Sequence, residues 1–191
     1  FEPFHFLPFG ARPAESDRRV ALENLKAWSE DVAMHLADAR DADGFSMRRT
    51  LFYPQEEYDA DCVHQLVRIC KAGLAEIEVH LHHRNDTPDG LRDKLREFTR
   101  TLAGAHGLLG RDAGGQERYG FIHGNWALCN ARPDGDWCGV SGEIDILKST
   151  GCYADFTFPS APSPTQPRMV NAIYRAEDAR GKPSGCERGK R

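Results

Sequence analysis

The sequence lacks long apolar runs, basic stretches and internal repeats, and each absence excludes a class of protein. No hydrophobic segment approaches the roughly 20 residues that a membrane-spanning helix needs. The net charge is −4, and lysine and arginine do not alternate with aromatic residues, so we expect no nucleic-acid partner. With 191 residues, of which 40% are hydrophobic and 28% charged, the chain is long enough for one domain with its own core.

The sequence also lacks closely spaced pairs of cysteines. Six cysteines are present, but none has the CxxC spacing of a structural zinc site. Cys62 and Cys70 fall on one face of a predicted helix beside aliphatic residues, which is typical of buried free thiols. The sequence neither indicates nor excludes a disulfide between Cys129 and Cys138. We expect reduced thiols by default, because a chain of this length does not need crosslinks to fold.

Residues 75–87, AEIEVHLHHRNDT, form the most informative stretch. Aliphatic residues alternate with polar ones, as in a β-strand with one face in the core. The polar face carries Glu78, His80 and His82, about 6.5 Å apart along the strand, and His83 points to the opposite side. Imidazole and carboxylate groups bind divalent transition metals, zinc above all, so this strand end predicts a metal site. The alternative is a polar face on a half-exposed strand.

Strands and helices alternate along the chain, which predicts a parallel sheet with helices packed outside it. We expect an α/β domain over residues 1–181 and a charged tail over 182–191. In such folds ligands bind at the carboxyl ends of the strands. Those ends hold the polar residues that we select as candidates: Tyr53 and Glu57, then His80, His82 and Asp86, then His123, Asn125 and Trp126.

Residues 119–130, YGFIHGNWALCN, form the second informative stretch. His123 lies where the predicted strand ends and adds a fourth imidazole to the same edge of the sheet. Asn125 and Trp126 offer an amide and a flat apolar ring, a combination suited to a sugar. The alternative is a loop that needs Gly124 and Asn125 for its turn geometry, with Trp126 closing the end of a barrel.

These stretches carry a resemblance to the polysaccharide deacetylase superfamily, of the chitin- and peptidoglycan-deacetylase type. The chain most resembles a bacterial branch of that group, and the similar segments are FEPF at the start, LFYPQEEY at 51–58, EVHLHH at 78–83, YGFIHGNWAL at 119–128 and GCYADFTFPSAPSPTQP at 151–167. The resemblance implies an irregular β/α barrel of the glycoside hydrolase and deacetylase type, incomplete at both ends. Glu78 and His82 match the family's Glu-x-x-x-His pattern. Asp86 stands where the family has its second histidine.

The resemblance implies a metal-dependent hydrolase that removes acetyl groups from the N-acetylated sugars of a polysaccharide. Zinc would be held by His80, His82 and Asp86 and would activate water. His123 would act as the acid, with Asn125 beside it in the catalytic group. The carbohydrate substrate would be contacted by Tyr53, Glu57 and Trp126.

Departures from the family favour an alternative to this enzyme. Arg49 and Cys129 stand where related sequences have histidine and aspartate, and the aspartate pair of the family's first strand has no match, which favours a degenerate carbohydrate-binding or scaffold protein. A third hypothesis, glycosidic bond hydrolysis, shares the barrel type but would need two carboxylates facing each other across a sugar. The chain starts with Phe1, and its sequence predicts fewer strands than the about eight strands of a complete barrel. We therefore expect this chain to be a fragment with little activity of its own.

Overall fold

The centre of the protein is a mostly parallel, five-stranded sheet. The computed structural model describes residues 2–4, 7, 11–177 and 188–191. The strands are β1 (Arg49–Pro54), β2 (Ala75–Leu81), β3 (Gly110–Arg111), β4 (Glu117–His123) and β5 (Cys152–Asp155). Strands β1, β2, β4 and β5 lie side by side and parallel, and β3 pairs antiparallel with β4. The α/β class is confirmed. Within the described residues the sheet is open, so a closed barrel stays a prediction.

The described residues include four α-helices: α1 (Glu15–Leu36), which precedes β1, and three that lie between strands, α2 (Ala60–Lys71), α3 (Pro88–His106) and α4 (Glu143–Thr150). The sequence predicts a helix from Pro88 to about His106, and α3 has these bounds because its end signals are strong. The Thr87 hydroxyl accepts the N–H of Gly90, Pro88 occupies the first turn, and Gly107 ends the helix with a left-handed φ of 67°. None of the helices in the described ranges is long and apolar enough to cross a membrane.

The alternation of apolar and polar residues along β2 determines where the core lies. Ile77, Val79 and Leu81 are at most 3% exposed and belong to the same apolar cluster as Leu66 of α2 and Leu95 of α3. Burying each such side chain stabilises the fold by about 1.5–3 kcal/mol. The polar residues of β2 therefore face away from this core, towards the opposite side of the sheet.

The carboxyl-terminal part of the chain has a shorter last sheet strand than the sequence indicates, and it adds a second pair of strands. The sequence predicts a strand over 152–158, but β5 ends at Asp155, and two further strands, β6 (Arg175–Glu177) and β7 (Arg188–Lys190), form a separate antiparallel pair. Residues 182–187 of the predicted charged tail lie outside the described residues. Residues 188–190 of this tail form β7 and pair with β6. The five described cysteines are free, so Cys129 and Cys138 form no disulfide, and Cys186 lies outside the described residues.

Two loops are fastened together beyond the ends of β2 and β4. The Arg84 guanidinium donates two hydrogen bonds of 2.6 Å to the Asp136 carboxylate and lies 4.5 Å from the centre of the Trp137 ring. The Asp86 N–H donates to the Cys138 carbonyl at 2.9 Å. We call this contact between residues 84–86 and 136–138 the clasp.

Candidate functional site

Two groups of side chains that could hold a metal ion lie at the end of β2, one on each side of the sheet. His80 and His82 lie with Glu2, and we call these three residues the rim group. His83 faces the other way and lies with His123, Cys138 and Glu143, which we call the buried group. The sequence pattern therefore predicted the division between His80, His82 and His83 correctly.

The rim group has distances that suit a shared ion. Glu2 Oε1 lies 3.4 Å from His80 Nε2 and 3.6 Å from His82 Nε2. Ligand atoms of a tetrahedral zinc ion lie roughly 3.3 Å apart, given bonds of about 2.0–2.1 Å. The side chains of Glu2 and His82 are 36% and 15% exposed, so solvent reaches the group.

Glu56 orients His82 from the other side of its ring. The Glu56 carboxylate accepts the backbone N–H of His82 at 3.2 Å and forms a short hydrogen bond with its Nδ1. This contact leaves Nε2 directed at Glu2, as in metal sites where a carboxylate holds the ligating histidine. Burial alone would lower the pKa of His82, but the carboxylates of Glu56 and Glu2 raise it above its usual value.

His80 is held unprotonated by its surroundings. Burial, with a smaller contribution from His82, lowers the pKa of His80 to about 3. Among the described residues neither ring nitrogen has a hydrogen bond of good geometry, although Glu2 is close to Nε2. An imidazole nitrogen and a carboxylate oxygen at 3.4 Å attract each other only with a proton or a cation between them. A neutral imidazole is the form that binds metals.

Glu57 and Tyr53, both predicted to contact the substrate, form contacts that support the rim group. The Glu57 carboxylate accepts the N–H of Phe4 at 2.8 Å, and Phe4 is buried, so this contact fixes the segment that carries Glu2. Tyr53 is 0% exposed, and its hydroxyl donates to the Glu57 carbonyl at 3.3 Å. This position leaves Tyr53 no surface that a ligand can touch.

The buried group is centred on Glu143, the first residue of α4. Glu143 Oε1 lies 3.1 Å from His83 Nε2 and 3.9 Å from His123 Nε2. Glu143 Oε2 accepts a hydrogen bond from the Cys138 thiol at 3.4 Å and another from the Cys129 N–H at 2.7 Å. One ligand atom from each residue of the buried group lies within 4.8 Å of the others, so the group could hold a metal ion.

Opposite charges compensate the burial of this group. Burial alone would raise the pKa of Glu143, but His123 and His83 hold it below its usual value. Burial alone would lower the pKa of His83, but the carboxylates of Asp86 and Glu143 raise it to about 9. Burial raises the pKa of the Cys138 thiol.

Asp86, predicted to bind metal with His80 and His82, contacts a different histidine. Its Oδ2 lies 3.3 Å from His83 Nδ1 and accepts a hydrogen bond from Lys94 at 2.7 Å. The reason is that Asp86 lies in the loop before α3, where its Oδ1 accepts the Thr87 N–H. Asp86 therefore supports the buried group.

The three candidates after β4 have different surroundings. His123 is 0% exposed, which separates the predicted acid from solvent, and its Nδ1 accepts the Asn125 N–H at 3.2 Å. The Asn125 side chain donates to the carbonyls of His83 and Trp137, at 3.1 and 3.3 Å, and so braces the loop. Trp126 is 52% exposed and presents its ring to solvent.

Sequence reasoning missed Glu2, Cys138 and Glu143 as candidate ligands. Glu143 follows His83 by 60 residues, and an acidic residue in the first turn of a helix is ordinary. Cys138 lacks a paired cysteine. For Glu2 one signal existed, since it lies within the FEPF segment of the resemblance.

Comparison of the chain with protein-family models, characterised proteins and solved structures gives no significant match. The resemblance to polysaccharide deacetylases therefore stays a prediction, and any function is argued from the residues of the two groups.

Proposed function

We propose that the protein is a zinc-dependent hydrolase that removes acetyl groups from N-acetylated sugars of a polysaccharide, with Glu2, His80 and His82 as the zinc ligands. The observation that supports this proposal is the open rim group, since three protein ligands at a solvent-reached site leave room for water and substrate. Two imidazoles with one carboxylate suit zinc among the divalent metals.

A zinc ion at this position would activate water and polarise the acetamide carbonyl. The chain's own residues would orient the ligands and the sugar. Glu56 holds the His82 ring by its Nδ1, and the exposed Trp126 offers an apolar face on which a sugar ring can stack. We further propose that the open parallel sheet is one part of an irregular β/α barrel, because the rim group lies at the carboxyl ends of its strands.

The second candidate function is a carbohydrate-binding or scaffold protein on a catalytically degenerate form of the same fold. The burial of His123 favours it, because a fully buried imidazole cannot protonate the leaving amine of a substrate at the rim. The two candidates share a ligand and differ in whether acetate is released.

The test is acetate release from acetylated chito-oligosaccharides, with added zinc, by the wild type and by His80→Ala and His82→Ala. We expect each variant to lose at least tenfold in rate and to lose the zinc of the rim group. His35→Ala is the matched control, because His35 lies exposed on α1.

Each outcome separates the candidates. Binding of the oligosaccharide without acetate release by the wild type would support the scaffold protein. Release of reducing ends instead of acetate would indicate a glycosidase. Unchanged zinc content in His82→Ala would show that the rim group is not the metal site.

A further inference from the structure

The buried group differs from the rim group in both composition and access. Its donors come from four separate segments: the loop after β2, the end of β4, the clasp and the start of α4. The side chains of His83, His123 and Glu143 are 0% exposed, and Cys138 is 0% exposed as a residue. A closed set of four protein ligands is typical of structural metal sites, whereas catalytic sites keep one position open for water or substrate.

Two buried ring nitrogens of the group, His123 Nε2 and His83 Nδ1, have no hydrogen bond to any described residue. His83 Nδ1 has Asp86 Oδ2 at 3.3 Å, whereas the nearest acidic oxygen to His123 Nε2, Glu143 Oε1, is 3.9 Å away. Leaving a buried polar atom unsatisfied destabilises a folded protein. An ion between His123, His83 and Glu143 would satisfy His123 Nε2.

His83 already has the contacts of a histidine that ligates a metal ion. Its Nδ1 faces Asp86 Oδ2 at 3.3 Å and its Nε2 faces Glu143 Oε1 at 3.1 Å. Asp86 is itself fixed by Lys94 and by the N–H of Thr87. This carboxylate–imidazole pair is the arrangement that positions metal-ligating histidines.

We propose that His83, His123, Cys138 and Glu143 form a second, closed site for one thiophilic divalent transition-metal ion of the zinc class. The ion fastens α4 and the clasp to the ends of β2 and β4, and it has no contact with substrate. The thiolate of Cys138 and the two imidazoles select zinc over calcium or magnesium, which prefer oxygen ligands. This site does not depend on the function proposed for the rim group.

Binding changes one contact of His123. Coordination through Nε2 places the ring hydrogen on Nδ1, which then cannot accept the N–H of Asn125. That contact is 3.2 Å long and spans only two residues, so it is a weak one to give up. The Asn125 side chain keeps its two bonds to the carbonyls of His83 and Trp137.

The test is titration of the metal-free protein with cobalt, which replaces zinc and absorbs light. Only a thiolate ligand produces a sulfur-to-cobalt charge-transfer band in the near ultraviolet, and the rim group contains no cysteine. We expect the wild type to show this band, saturating at one ion per chain, together with the visible absorption of a second cobalt ion. Cys138→Ser should lower the band at least tenfold and keep the second ion.

Two controls separate the buried group from other thiols and from the rim group. Cys152→Ser should keep the band, because the Cys152 thiol lies outside the buried group and donates to the Ala154 carbonyl. His82→Ala should also keep the band, even if it abolishes zinc binding at the rim. Absence of the band from the wild type overturns the proposal without any variant. Persistence of the band in Cys138→Ser overturns it equally.

Discussion

At the scale of single residues, the absence of a side chain at position 124 fixes where His82 lies. The His82 ring rests directly on the backbone of Gly124, and a Cβ there would lie 2.5 Å from His82 Nε2. We expect Gly124→Ala to displace the imidazole from Glu2 and to weaken zinc binding at the rim group by at least tenfold. Isothermal titration with zinc measures the change.

The matched control is Gly104→Ala on α3, where an added Cβ meets no atom within 4 Å. Alanine favours helix over glycine by about 1 kcal/mol, so this variant should bind zinc normally and be slightly more stable. Equal zinc affinity in Gly124→Ala and the wild type would show that the His82 ring need not occupy this position.

Single residues also mark the limit of prediction from sequence. The period-two pattern was sufficient to place His80 and His82 on one face and His83 on the other, since strand geometry is local. It could not show that His83 would meet Glu143 and Cys138, because these residues approach from distant segments. The partners of a side chain depend on tertiary packing, which no local pattern encodes.

At the scale of elements, the start of α3 depends on one hydroxyl. Thr87 caps the helix by accepting the Gly90 N–H at 3.1 Å. Thr87→Ala should therefore lower the free energy of unfolding by about 1 kcal/mol, measured by urea denaturation.

The same substitution inside the helix is the control for Thr87→Ala. The Thr101 hydroxyl bonds to the Glu97 carbonyl of its own helix, so Thr101→Ala removes no capping contact and should be neutral or slightly stabilising. A comparable loss in both variants would contradict the capping role of Thr87.

Elements with strong end signals could be predicted, and those without could not. Thr87, Pro88 and Gly107 marked both ends of α3, and its bounds were confirmed. The sequence predicts that the first helix runs to about Ala39, but α1 ends at Leu36, where no glycine marks the end. Strand β5 ends at Asp155 because the chain turns there. The Asp155 carboxylate accepts the N–H and the hydroxyl of Thr157, two residues later.

At the scale of the whole molecule, stability depends on the apolar layer between the sheet and the helices. Leu95 of α3 is 1% exposed within this layer. Leu95→Ala should lower the free energy of unfolding by about 2–5 kcal/mol and the melting temperature by roughly 5–15 °C. Differential scanning calorimetry measures the shift.

Met34→Ala on α1 is the corresponding surface change. Met34 is 72% exposed, so we expect its loss to alter the melting temperature by no more than about 2 °C. A shift as large as that of Leu95→Ala would mean that the α1 surface packs against something in solution.

The parallel order of the strands explains why predicted candidates meet at all. Since β2 and β4 are neighbours, the ends that carry His80, His82, His83 and His123 lie side by side, as the alternation of strands and helices predicted. The sheet order itself was not derivable, nor was the approach of Glu2 to β2. Both depend on contacts between segments distant in sequence.

The clasp separates the time scales on which the two groups can exchange an ion with solvent. An ion at the rim group would leave at the rate set by its own bonds, because water already reaches Glu2 and His82. The buried group is covered by the loop that Arg84 and Asp86 hold through Asp136 and Cys138. Uptake and release there must wait for a local opening of the loop, so the two groups would differ in exchange rate even at equal affinity.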